Sequence, residues 1–208
     1  MEKLRCGAFL FCSRSRKKLI FAYQKSTMKN SFFTPRLAFA TTIIIAAALT
    51  RFLPHPPNFT AIGGMALFAG AFIPNRWMSL LIPMLVMVAT DFVIGFHNTA
   101  WAVYLSFAFI AMLGWTMQNR KTVFGFIGTS LAASLIFFFI TNAAMWLVGF
   151  WTSEPLLYPK TFGGLVEAIS MGIPFYSYNF AISQFVYGGL FFGAFQAVKM
   201  WKPSLLKA

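Results

Sequence analysis

The stretch Trp77-Met-Ser-Leu-Leu-Ile-Pro-Met-Leu-Val-Met-Val-Ala-Thr-Asp-Phe-Val-Ile-Gly-Phe96 decides the fold, because it holds a single charged side chain, Asp91, close to its end. About 20 predominantly apolar residues suffice for a helix to cross the ~30 Å hydrocarbon core of a bilayer. Residues 77–96 therefore predict a membrane span. Asp91 lies five residues from the end of that stretch, roughly 8 Å inside the boundary at ~1.5 Å per residue. An ionisable group at such a depth is costly, so it should face the protein interior and have a partner.

Composition extends this reading to the whole chain. Of 208 residues, 59% are hydrophobic and 10% charged, which is too little polar surface to cover a soluble globule. The expected class is all-α: a polytopic membrane protein with a single domain over 31–208. A formal charge of +13 would suggest nucleic acid in a soluble protein. Here the basic residues occupy tails and short connections, so the charge reads as topology and no nucleic-acid partner is expected. Cys6 and Cys12 both fall in the basic N-terminal tail and form neither a disulfide framework nor a metal site.

Working outward toward the N-terminus, residues 61–74 and 37–53 read as two short spans rich in small residues. Ala66 and Gly70 are four apart, a spacing that lets helices approach closely. Residues 1–30 are basic, and their apolar pieces are much shorter than a span. Two readings of them stand side by side: translation beginning at Met28, and a basic tail resting on anionic lipid. Toward the C-terminus, 101–117 is bracketed by Trp101 and Trp115, as befits rings at two interfaces. Residues 122–150 are long enough for one tilted span. Residues 151–173 read as a loop containing Glu154, Lys160 and Glu167, with the apolar run 165–171 as a lid or interfacial helix. The last span is expected over 174–201, ending in Lys199, Lys202 and Lys207.

Six spans with both termini in the cytoplasm place 15 of the 17 basic residues inside and leave only Arg51 and Lys160 outside. That asymmetry agrees with the positive-inside rule. The same arrangement gathers the polar groups at the outer face. The connection Arg51-Phe-Leu-Pro-His-Pro-Pro-Asn-Phe-Thr60 contributes Arg51, His55 and Asn58; the end of the third span contributes Asp91, His97 and Asn98. Asn142, Tyr176 and Asn179 complete the candidate binding residues. Arg51 is the natural partner for Asp91, through a bidentate pair that would offset its desolvation. Whether the pair clamps two helices or touches a ligand is left open by the sequence. His55, His97 and Asp91 are residue types that bind divalent ions, yet they share no motif spacing, and neither a metal nor another cofactor is expected. With four acidic residues in all, the chain also lacks paired carboxylates, nucleophile motifs and a phosphate loop. No catalytic residues are assigned.

The string Arg51-Phe-Leu-Pro-His-Pro-Pro-Asn-Phe-Thr-Ala-Ile-Gly-Gly-Met-Ala-Leu-Phe68, followed by Asp91-Phe-Val-Ile-Gly-Phe-His97 and Val103-Tyr104, resembles an uncharacterised family of small bacterial integral membrane proteins. The resemblance covers about residues 36–115 closely and the remainder more loosely. That family is in turn similar to the substrate-binding S-components of energy-coupling-factor transporters. The resemblance implies a six-helix protein of the bacterial inner membrane that takes a vitamin-like solute from outside. It further implies that the connections around His55, His97 and 154–167 enclose the solute, and that a separate transmembrane and ATPase module energises uptake. S-components dock on that module through small residues of the first helix. The nearest pairs here are Thr42 with Ala46 and Ala46 with Thr50, rather than two alanines four apart. A membrane enzyme using His55, Asp91 and His97, and a structural subunit without catalysis, are the alternatives.

Overall fold

A computed structural model describes residues 34–54, 56, 59–119, 121–150, 157–176 and 180–203. Among them the protein is entirely helical, with seven α-helices and no strand: α1 Pro35–Leu49, α2 Ile62–Phe72, α3 Arg76–Ile94, α4 Ala100–Trp115, α5 Val123–Val148, α6 Phe162–Phe175 and α7 Ala181–Trp201. The basic tail and its two readings lie outside the described residues.

Local chemistry fixes the helix starts. Thr34 caps α1 by accepting from Leu37 N, with Pro35 in the first turn, where its missing N–H costs nothing. Asn75 accepts from Trp77 N and Met78 N at the start of α3. Thr122 and Thr161 do the same for α5 and α6 through Gly125 N and Gly164 N. At its far end α3 stops at Gly95, whose φ of 109° suits a residue without Cβ.

Four helical stretches, Pro35–Phe52, Arg76–Ile94, Val123–Val148 and Ala181–Trp201, are long and apolar enough to cross a membrane. They mark a multi-pass membrane protein. The outer surface supports this, because Trp77, Leu81, Leu85, Val88 and Phe92 are all exposed along one face of α3. These positions recur every three or four residues. They form a continuous apolar stripe that water would penalise and lipid tails would not.

The centre of the bundle is α2. All eleven of its residues are buried, so the expected second span is a helix enclosed by protein, roughly 16 Å long at ~1.5 Å per residue. Enclosure explains how so short an apolar segment is stable: its neighbours, not lipid, cover it. Glycines allow the contact. A Cβ on Gly70 would collide with the carbonyl of Ala111 on α4, and one on Gly64 would lie 2.8 Å from Gly188 N on α7. Phe68 and Phe72 then pack into a ring cluster with Phe191, Phe192 and Phe195 of α7. Gln118 donates to the carbonyls of Gly70 and Ile73, and Arg36 to that of Phe72, so three carbonyls at the C-terminal end of α2 have partners.

Two expectations are corrected. The segment 151–173, read as a loop with a lid or interfacial helix over 165–171, holds α6, a longer helix of fourteen residues, and the last helix begins at Ala181 rather than at 174. Pro174 belongs to the last turn of α6. Helix α6 runs antiparallel to the upper half of α5: Trp146 Nε1 donates to the carbonyl of Pro159 just before α6, Asn142 lies against Gly172, and Ser134 bonds Tyr176 Oη at 3.2 Å. As numbers on α5 fall, their partners on α6 rise. The two ends of the bundle are named below for Arg51 and for Arg36, which lie at opposite ends of α1 and its terminal turn.

Candidate functional site

Polar chemistry gathers at the Arg51 end. Arg51 stands in a 3₁₀ turn, Thr50–Phe52, that continues α1, and Asp91 stands one turn before the end of α3. Their side chains meet, with Nη1 of Arg51 2.5 Å from Oδ1 of Asp91. The same nitrogen donates to Thr90 Oγ1 and approaches Met87 Sδ at 3.7 Å. Tyr104, on α4, donates its hydroxyl to the other carboxylate oxygen of Asp91 at 2.6 Å. The pair forms through one nitrogen and not the expected bidentate fork, while Tyr104 holds the second oxygen. Asp91 is 3% exposed. Both of its oxygens have charge-assisted partners, which is what a buried carboxylate requires.

A cavity of about 280 Å³ opens nearby, between the α3–α4 connection and helices α4, α5 and α6. His97 and Thr99 form its rim, with His97 Nδ1 3.0 Å from Thr99 Oγ1. Asn142 and Tyr176 line the facing wall. Asn142 donates from Nδ2 to the carbonyl of Phe138 at 2.8 Å, and the missing side chain of Gly172 makes room for it, since a Cβ there would strike the amide. The apolar floor is an aromatic stack. Phe180 lies parallel to Phe137 with centroids 4.0 Å apart and planes inclined by 9°, and Phe137 in turn stacks on Phe107 at 5.7 Å.

Helix α4 ties the two features together, since Val103 lines the cavity while Tyr104 beside it holds Asp91. Asp91 and Arg51 themselves do not line the cavity. Of the residues singled out in the sequence, Arg51 and Asp91 come together as one pair, and His97, Asn142 and Tyr176 come together around the cavity. Asn98 is exposed in the turn before α4 and lines neither. His55, Asn58 and Asn179 lie outside the described residues. Tyr104, Thr90, Thr99 and Thr141 were missed. The signal for Tyr104 was present, as a phenol inside an apolar span needs a polar partner.

One turn along α7 from Phe180, Gln184 is fully buried, and neither its amide oxygen nor its nitrogen has a hydrogen-bond partner among the described residues. Its oxygen is directed at the backbone of Gly63 on α2. Among the described residues no three His, Cys, Asp or Glu side chains cluster in a way that would hold a metal ion.

No curated protein and no solved structure matches the chain. A family of unknown function, DUF6580, matches it over residues 31–205. That match takes in every described residue, from the cap of α1 through the end of α7, and the chain therefore belongs to the family DUF6580.

Proposed function

We propose that the chain is the solute-capturing subunit of a micronutrient uptake system resembling an S-component, and that it performs no catalysis of its own. The observation that carries this reading is the cavity of about 280 Å³ at the Arg51 end, with His97, Thr99, Thr141, Asn142 and Tyr176 as polar groups over a stack of phenylalanines. Small-molecule sites are mostly apolar concavities with a few placed polar groups, and this volume falls just under the usual range of ~300–1,000 Å³. It suits a small, flat, polar solute.

In this reading the Arg51 end faces outward and the Arg36 end faces the cytoplasm, with six crossings, both termini inside and the inner membrane as location. Five of the seven described basic residues, Arg36, Arg76, Lys121, Lys199 and Lys202, gather at the Arg36 end, in keeping with positive-inside orientation. The pair of Arg51 and Asp91 then serves as a clamp that fixes α1, α3 and α4 around the cavity. The solute meets His97, Asn142 and Tyr176. No nucleotide-binding motif is present, so release inward calls for a separate transmembrane and ATPase module.

The test is thermal unfolding of the purified protein against a panel of vitamins and related micronutrients. A ligand at 100 times its Kd adds about 2.7 kcal/mol of stability. His97→Ala and Asn142→Ala should remain folded and lose that shift. No shift with any candidate, together with no ATPase subunit co-purifying, overturns the proposal.

A further inference from the structure

At the Arg36 end, a second and larger cavity of about 840 Å³ opens between the start of α1, the α4–α5 connection and the end of α7. Three cations line it, Arg36, Lys121 and Lys199, and among the described residues no carboxylate does. The only acidic residues among those described, Asp91 and Glu167, belong to α3 near Arg51 and to α6. Among the described residues, the partners of Arg36 and Lys121 are neutral. Arg36 Nε donates to the carbonyl of Phe72 at 3.0 Å and its guanidinium lies 5.8 Å from the ring of Phe195. Lys121 Nζ donates to the carbonyl of Gln118 at 2.6 Å and stands 5.0 Å over the ring of Phe72.

The C-terminus of α2 points into this group and carries about −0.5 elementary charge at most. That offsets a fraction of three full positive charges. Burial first, and then the charges of Arg36 and Lys199, lower the pKa of Lys121 below that of an ordinary lysine. Below the cations the lining turns aromatic, with Phe72, Phe126 and Phe192. One wall is formed by Gly189, where an added Cβ would meet nothing within 4 Å.

We propose that this cavity binds the phosphate of an anionic phospholipid headgroup, with the acyl chains leaving along the open side at Gly189. Basic recesses between membrane helices recognise such headgroups through charge, and guanidinium with ammonium groups form charge-assisted hydrogen bonds to phosphate oxygens. A free oxyanion would use the cations alone. Only an amphiphile would use both the cations and the aromatic wall that runs out to lipid.

The experiment measures the unfolding midpoint of the detergent-purified protein while phosphatidylglycerol, phosphatidylcholine or inorganic phosphate is titrated in. Phosphatidylglycerol should raise the midpoint, and the other two should not. The variant Lys121→Gln with Lys199→Gln should need roughly 30-fold more phosphatidylglycerol for the half-maximal shift, at about 1 kcal/mol per lysine. If that variant is not monodisperse, Lys199→Gln alone serves, since its side chain is exposed. Gly189→Leu, which fills the open side, should also weaken the response, whereas Lys160→Gln at the other end should not. An equal response in the lysine variant, or an equal shift from phosphatidylcholine, overturns the site. A full shift from inorganic phosphate, or an unchanged response in Gly189→Leu, overturns the lipid as its occupant.

Discussion

Tyr104 and Arg51 share one carboxylate: the phenol holds Oδ2 of Asp91 and the guanidinium holds Oδ1. Three helical elements, the turn after α1, α3 and α4, are thereby tied at a single buried point. Tyr104→Phe keeps the ring and removes the donor. It should cost about 1–3 kcal/mol, the penalty for leaving a buried acceptor unmade, read as a lower midpoint in detergent unfolding.

Removing either charge of the pair is more severe. Arg51→Ala or Asp91→Ala strands its partner in a low-dielectric site, at about 3 kcal/mol or somewhat more. The swap of Arg51→Asp with Asp91→Arg should recover at least half of that loss. An additive loss in the swapped protein would exclude a simple clamp between these elements.

The glycines of the bundle divide by what surrounds them. Gly70→Ala drives a methyl into the backbone of α4, where neither chain can yield without moving a helix, and should cost about 3 kcal/mol or more. Gly128→Ala meets nothing within 4 Å. It should raise stability by about 0.5–1 kcal/mol, because alanine loses less backbone entropy in a helix. Opposite signs from the same chemical change would be visible in parallel melts.

Gln184 gives the reverse of an ordinary core mutation. Its buried amide has no hydrogen-bond partner among the described residues, so Gln184→Met, which keeps the length and removes the polar atoms, should stabilise by about 1–3 kcal/mol. A drop in the unfolding midpoint would mean that the amide is satisfied within the folded protein.

Gly172→Ala separates the cavity from the fold. Its new methyl meets the side chain of Asn142 and not backbone, so the amide can rotate away into the cavity. The protein should fold with under about 1 kcal/mol of loss, since a flexible side chain absorbs the overlap. Solute-dependent stabilisation should disappear. Retained stabilisation by a ligand would place binding elsewhere.

The sequence was most legible where apolar length alone carries the signal. Spans read over 77–96, 101–117 and 122–150 correspond to α3, α4 and α5 within two residues at each end. The pairing of Arg51 with Asp91 was legible because a lone acid in an apolar helix demands a cation. Helix α6 was not. Its apolar run is short and Gly163 and Gly164 dilute it, so only 165–171 reads as a lid or interfacial helix, whereas the helix extends over Phe162–Phe175 with Pro174 in its closing turn. Tyr104 signals in the sequence only that it needs a polar partner, and not which one, since thirteen residues and a change of helix separate it from Asp91. In the sequence the basic residues carry an expectation about topology alone. That three of them surround a cavity depends on how α1 and α7 meet, which spacing along the chain does not encode.

The enclosure of α2 also sets a condition on biogenesis. A segment of eleven residues is too short to rest across a bilayer by itself, and its covering partners are made later. Helix α4 supplies one side of the sheath, and α7, the last helix described, supplies another through Gly188, Phe191 and Phe195. Until those residues leave the ribosome, α2 lacks the α7 side of its cover. A chain cut short before 180 would therefore expose its most tightly built segment, and quality control would meet an unfinished centre instead of a missing edge.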